Sequence, residues 1–297
     1  MTVPSLIIPR SEVAISRLGF GCARIFGGRE LKSSARLIEA ALTAGIRHFD
    51  TAPSYGNGKS EEALGTLLAG VPNVTIATKI GIARPVVATS WTWISYRRFV
   101  RPVLSHFPDT KARLMRIMRQ GRVDAAPPPP RRKLCRDEVL RELEESLKQL
   151  RRSRIDLYFI HEPDLFELTD ELKVLFSSLQ EEGTIGAFGL AWGRIPDAGR
   201  RFGTVSQGRY GADLPTNAGA TEASIFHGVL RHAALRGTDR QHSLGPGERI
   251  RAVLDRHSDA AIIFSASSPA QISEIASQCW NDGDGNGPSF SHAERSP

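Results

Sequence analysis

The chain has 297 residues, 40% hydrophobic and 24% charged, a composition that argues against general disorder and leaves room for one sizeable core. No apolar run approaches the ~18 residues that cross a bilayer, and Met1 to Arg10 has no basic start followed by an apolar stretch, so a cytoplasmic protein without a membrane partner is expected. The formal charge of +7 would point to nucleic acid only if gathered on a working face; much of the excess lies instead between Arg97 and Lys133, against only Asp109 and Asp124, which reads as a solvated basic segment with no nucleic-acid partner.

In chain order, a short strand at Leu18 to Gly21 precedes a helix from Ser33 to Ala44, with Ala35, Leu37, Ile38, Ala41 and Leu42 at helical spacing. Ser33 or Ser34 is its expected cap and Gly45 its end. Ile46 to Asp50 reads as a strand, Ser60 to Ala69 as a helix, and Val74 to Lys79 as a β-branched strand after the Pro72-Asn73 turn. The helix Asp137 to Arg152 carries Val139, Leu140, Leu143, Leu147 and Leu150 on one face. After it come a strand Ile155 to Ile160, a helix Glu171 to Glu182, and strands Thr184 to Leu190 and Gly203 to Gln207. Ser224 to Leu230 and Ala260 to Ser265 read as the last strands, with Gly247 to Arg256 and Pro269 to Gln278 as helices. Alternating strands and helices predict an α/β chain and leave a barrel and a doubly wound sheet both open; the count of about eight strands is the number that closes a (β/α)8 TIM barrel, the expected class, with residues 1–280 forming one domain.

Two stretches depart from that pattern. Residues 84–132 far exceed the ~2 to 6 residues of an ordinary α/β connection; they hold Trp91, Trp93, Tyr96 and Phe99, a basic amphipathic run Asp109 to Met118, and Pro127 to Pro130. They are expected to form a rim insertion after the third strand, on the face where such barrels work. Residues 281–297, rich in Gly, Asp, Asn and Ser, are expected to be a disordered tail. Cys22, Cys135 and Cys279 are odd in number and widely spaced, which fits neither a disulfide framework nor a metal site.

The chemistry concentrates at strand ends. Phe49-Asp50-Thr51-Ala52-Pro53-Ser54-Tyr55-Gly56 follows one strand, Thr78-Lys79 closes the next and His161 the one after. Taken singly, Asp50 fits a helix cap, Tyr55 a core aromatic and His161 a structural histidine. Together they put four polar groups at the ends of three successive strands, and a buried Lys79 needs a partner such as Asp50.

These stretches resemble the aldo/keto reductase family. Gly45 to Gly56 with Ser60-Glu61-Glu62-Ala63-Leu64-Gly65 is similar to the family's signature, Thr78-Lys79 to its lysine strand, and Asp156-Leu157-Tyr158-Phe159-Ile160-His161-Glu162-Pro163-Asp164 to its histidine strand. The expected barrel class rests in part on this resemblance. The resemblance implies a reductase of small aldehydes, ketones or aldoses, or in reverse an alcohol or lactol dehydrogenase, with Asp50, Tyr55, Lys79 and His161 as its catalytic group. It also implies an NADP cofactor (NADPH) ahead of NAD. Gln207-Gly208-Arg209-Tyr210 matches a glutamine that binds the nicotinamide carboxamide and an aromatic that stacks on the ring. Phe264 to Glu274 matches the segment holding the cofactor's adenosine phosphate end, through Ser265, Ser267, Ser268 and Gln271. Where the family commonly has a Ser-Asn pair after strand five, this chain has Ala191-Trp192.

The four residues make sense physically. A phenol of pKa ~10 is a slow proton donor at neutral pH, and a nearby ammonium lowers that pKa by stabilising the phenolate. Asp50 would hold Lys79, and His161 would orient the carbonyl oxygen. Two rivals remain: an NAD(P)-binding regulatory barrel, kept open by the weak stretch between Gln207 and Ser224, and a decayed paralogue, suggested by the long insertion and by Ala191-Trp192.

Overall fold

The computed structural model describes residues 3–23, 25, 31–85, 130–164, 167–192, 202–211, 222–231 and 244–280. The chain opens with an antiparallel hairpin, β1 (Ser5–Ile7) and β2 (Ala14–Ser16). Eight parallel strands then close on themselves: β3 (Leu18–Gly21), β4 (His48–Asp50), β5 (Thr75–Ile80), β6 (Ile155–His161), β7 (Ile185–Ala191), β8 (Val205–Arg209), β9 (Ala223–His227) and β10 (Ala260–Phe264), with β10 pairing β3 through Ile262 and Leu18. Helices α1 (Leu31–Thr43), α2 (Ser60–Leu67), α3 (Arg136–Leu150), α4 (Asp170–Glu181), α5 (Pro246–Arg256) and α6 (Pro269–Cys279) belong to the same barrel. The expected (β/α)8 architecture is the observed one.

The strand period of two builds two nested cores. Along β6, Tyr158 and Ile160 join the layer between strands and helices, while Leu157 and Phe159 fill the barrel interior. Ile8, Val13 and Ile15 share that interior cluster, so the hairpin plugs the barrel. The sequence reading passed over it, because three-residue strands carry almost no periodic signal. Gly189 is required where β7 meets β8, since a Cβ there would lie 1.6 Å from the Val205 carbonyl oxygen.

Some boundaries move. Helix α1 begins at Leu31, so Ser33 and Ser34 lie within its first turn rather than capping it; Gly45 ends the turn after it at φ 82° as expected. The strand expected to run to Leu230 stops at His227, and Val229–Arg231 is a 3-10 turn. Beyond β5 the chain leaves the barrel and returns paired with itself: Ile82 bridges Arg131, Ala83 N–H donates to the Pro130 carbonyl at 2.9 Å, and Arg132 N–H to that of Gly81 at 2.8 Å. The aromatic cluster and basic run expected within 84–132, and the tail expected at 281–297, lie outside the described residues. Among the described residues no helix is long and apolar enough to cross a membrane.

Candidate active site

Parallel strands end together, so polar residues at their C-terminal ends converge on one mouth. Register puts Asp50 beside Ala77 on β5, Lys79 beside Phe159 on β6, and His161 beside Ala191, which in turn pairs Gln207. Tyr55 begins a short turn, Tyr55–Gly58, in which Gly56 and Asn57 take left-handed backbone at φ 59° and 57°. A cavity of about 380 Å³ opens over these ends, lined by Asp50, Tyr55, Lys79, His161 and Gln207 among others.

Lys79 is 2% exposed. Its Nζ donates to Asp50 Oδ1 at 2.5 Å and to the Thr51 carbonyl at 2.8 Å, and sits 4.8 Å from the Tyr55 ring centroid. Burial alone would discharge the ammonium, but Asp50 and Tyr55 outweigh it and hold the Lys79 pKa above its ordinary value. Lys79 is therefore a cation inside the protein. The Tyr55 pKa is also raised: burial pushes it up more than Lys79 pulls it down. The expected acidifying influence of Lys79 is present but does not win, because the phenolate loses more solvation than one ammonium returns. The His161 ring meets the Tyr55 ring edge-on at 6.0 Å; burial, with Lys79 nearby, lowers its pKa to about 3, so the imidazole is neutral.

Gln207 Nε2 donates to Asp50 Oδ1 at 3.0 Å, while its Oε1 is buried without a hydrogen-bond partner among the described residues. Ser265 lines the cavity with its hydroxyl on the Gly21 carbonyl at 2.9 Å. Ser267, Ser268 and Gln271 stand at the start of α6, outside the cavity lining. Ser268 Oγ accepts from Gln271 N–H, and Gln271 Oε1 accepts from both the amide and the hydroxyl of Ser267. Tyr210, expected to stack on the cofactor, is not in the lining; its ring meets Phe226 at 5.5 Å and His257 at 6.2 Å. It shares its strand face with Ser206 and Gly208 rather than with Gln207.

His227 is among the lining residues that the sequence reading missed, with Glu162 and Arg231. Extending its strand to Leu230 placed it mid-strand, whereas it ends β9 at the mouth. Its Nε2 lies 3.1 Å from the Trp192 carbonyl, which can only accept, so the proton is on Nε2. Trp192 N–H in turn donates to the Gln207 carbonyl at 2.8 Å. The departure at Ala191-Trp192 thus contributes backbone groups where side chains were expected.

The model of the Aldo/keto reductase family matches residues 17–201, a span that holds Asp50, Tyr55, Lys79 and His161. The chain belongs to the aldo/keto reductase family. It is 29% identical over 187 residues to D-threo-aldose 1-dehydrogenase of Pseudomonas sp, covering 60% of this chain and 50% of that protein. It is 29% identical over 191 residues to the aldo-keto reductase YhdN of Bacillus subtilis (strain 168), covering 62% and 45%. The chain spans about half the length of these curated relatives. An aldo-keto reductase from Bacillus halodurans in its holo form superposes with a TM-score of 0.66 at 19% identity, over 93% of this chain and 90% of that one. One from Klebsiella pneumoniae in complex with NADPH gives 0.63 at 16%, over 94% and 90%. Members of this family are NAD(P)-dependent oxidoreductases acting on small carbonyl compounds. The residues of this aldo/keto reductase barrel fit such a cofactor: Gln207 Oε1 is a buried acceptor on the cavity wall with no partner among the described residues, suited to a carboxamide N–H, and the α6 N-terminus suits a phosphate.

Proposed function

We propose that this chain is an NAD(P)H-dependent oxidoreductase that reduces a small aldehyde, ketone or aldose, or oxidises the corresponding alcohol or lactol. The observation that carries this reading is a buried ammonium, Lys79, held 4.8 Å from the Tyr55 ring inside an open cavity. A bound nicotinamide supplies the hydride; the residues handle the proton and the charge. Tyr55 Oη donates its proton to the carbonyl oxygen, and the Lys79 ammonium stabilises the phenolate left behind. Asp50 keeps Lys79 in place and is itself fixed by the Gln207 amide. Neutral His161 donates an N–H that orients the carbonyl oxygen toward Tyr55. Gln207 Oε1 receives the carboxamide, and Ser265, Ser267, Ser268 and Gln271 serve the adenosine phosphate end.

NADPH is the finer reading for the cofactor, carried over from the Klebsiella protein, and an aldose is the finer reading for the substrate, carried over from the Pseudomonas dehydrogenase. One barrel domain with a rim insertion at 84–132 and a tail at 281–297, working in the cytoplasm, completes the proposal. Steady-state assays with a panel of aldehydes, ketones and aldoses, each with NADPH and NADH, test it. Turnover that disappears in Tyr55→Phe is the expected result. The alternative, an NAD(P)-binding regulatory barrel, rests on the weak sequence pattern between Gln207 and Ser224, and a decayed paralogue on the long insertion and on Ala191-Trp192; measurable cofactor affinity with no turnover of any substrate would favour the former.

A further inference from the structure

Glu61 is a fully buried carboxylate that the proposed chemistry does not use. It lies on α2, outside the cavity lining. Its Oε1 accepts from Thr78 Oγ1 at 2.6 Å, and its Oε2 accepts from Arg84 Nη2 at 2.6 Å. Arg84 uses its other terminal nitrogen, Nη1, to donate to the Gly58 carbonyl at 3.0 Å. A Cβ on Gly58 would come 2.9 Å from Arg84 Cγ, so the arginine stem lies flat on the turn.

Each end of this chain of contacts abuts a member of the catalytic group. Gly58 closes the turn that Tyr55 opens, and Gly56, Asn57 and Gly58 all take left-handed backbone at φ 59°, 57° and 80°. Such a turn belongs to no strand ladder, so its position depends on outside ties. Thr78 directly precedes Lys79, and on a strand the two side chains point to opposite faces: Lys79 goes inward to Asp50, Thr78 outward to Glu61. Glu61 thus grips the outer face of β5 where Lys79 occupies the inner one. An ion pair with a buried carboxylate is weak evidence of a stabilising role, since apolar residues of similar volume often do as well.

We propose that Arg84 and Glu61 are positioning residues that fasten the Tyr55 turn to the strand bearing Lys79 and so set the distance between phenol and ammonium. The inference rests on the proposed reductase reading for its kinetic arm alone. The test compares wild type, Glu61→Leu/Arg84→Met, and the single variant Arg84→Gln, at a side chain 22% exposed. With NADPH and a neutral aldehyde, kcat is expected to fall about 10- to 100-fold at an unchanged dissociation constant for NADPH; the melting temperature should be unchanged or raised in the double variant and lowered in Arg84→Gln, which leaves the buried Glu61 without its charged partner. The solvent deuterium isotope effect on kcat should rise as proton transfer becomes limiting, and Arg84→Lys should recover part of the loss. A second readout needs no turnover. In protein labelled with 13C at tyrosine Cζ, four signals are expected, and the Tyr55 signal, assigned by its absence in Tyr55→Phe, should move in both variants. Wild-type kcat in either folded variant, or Tyr55 signals that superimpose on wild type, would overturn the inference. A wild type without turnover whose Tyr55 signal still moves would defeat the reductase reading and leave the positioning inference standing.

Discussion

At the scale of single residues, the site works by opposing burial with charge. Tyr55→Phe removes the phenolic proton and little else, so reduction should fall about 10²- to 10⁴-fold while the dissociation constant for NADPH, measured by fluorescence quenching, changes little. Equal loss of both would make Tyr55 structural. Lys79→Met carries a second cost: among the described residues it leaves the buried Asp50 carboxylate with the Gln207 amide as its side-chain hydrogen-bond donor, and stripping one partner from a buried pair costs about 3–5 kcal/mol. Its activity should be lost and should not return at high pH, because the cation rather than general basicity is required; a melting curve run alongside separates that loss from unfolding. The titrating groups also set the pH profile. With the His161 pKa at about 3 and that of Tyr55 raised above its ordinary value, both keep one protonation state across the neutral range. The pH dependence of kcat/KM for a neutral aldehyde should therefore be flat from about pH 5.5 to 9, and a limb near pH 6.5 would show that a histidine titrates in the rate-determining step.

His48 gives a stability prediction at the same scale. It is fully buried on β4, its Nδ1 3.0 Å from Thr75 Oγ1 and its Nε2 without a partner among the described residues. Burial lowers its pKa from 6.5 to about 4. The unfolded chain then binds more protons between these values, so its contribution is fully present above pH 6.5 and is lost as pH falls toward 4, on the order of 3 kcal/mol in all. Urea unfolding at pH 7 and pH 5 should show the wild type losing more stability than His48→Gln; parallel losses would remove His48 from the account.

At the scale of elements, packing overrides propensity. Gly65 sits within α2, where alanine is favoured by ~1 kcal/mol as a helix former. A Cβ there would lie 2.3 Å from the Gln149 carbonyl oxygen and 2.7 Å from the Leu150 carbonyl carbon, backbone atoms at the end of α3 that cannot swing aside. Overpacking of this kind costs about 1–3 kcal/mol or more, so Gly65→Ala should lower the urea midpoint despite the better helix former. A raised midpoint would mean that α2 and α3 can separate freely. The same logic explains the misplaced cap of α1. Serine before an apolar run reads locally as a cap, yet Ser34 is fully buried inside the helix, because the helix starts at Leu31, two residues earlier than the pattern announces.

At the scale of the molecule, the long segment after β5 is joined to the barrel by a narrow neck. Ala83 and Pro130 are hydrogen-bonded across it, and Arg131 holds the Glu162 carbonyl and donates to Glu167 Oε2 at 2.8 Å. A short turn can therefore bridge the two sides without pulling on β5 or β6. Replacing residues 86–129 by a Gly-Ser turn should leave a folded chain with far-ultraviolet dichroism of an α/β barrel and a melting temperature within ~5 °C of wild type. A chain that unfolds would show that the barrel needs this segment for its own stability.

Local sequence determined the alternation of strands and helices, because most of these elements carry an apolar periodicity that survives without neighbours, and the strand count with the family resemblance turned that alternation into a barrel. It determined Asp50, Tyr55, Lys79 and His161 as a candidate group too, since a polar residue closing an apolar strand stands out in one dimension, and the family resemblance gave the order of roles. Tertiary structure decided what depends on groups distant in sequence. Tyr210 faces Phe226 and His257 instead of the cavity, because side-chain direction follows strand register. His227 reaches the mouth because β9 stops two residues before the 3-10 turn. The Tyr55 pKa rises because burial at the barrel mouth costs the phenolate more solvation than the one adjacent cation returns. And Glu61, an ordinary acid within an amphipathic helix when read along the chain, becomes a tie between Thr78 and Arg84 only once α2 closes over β5.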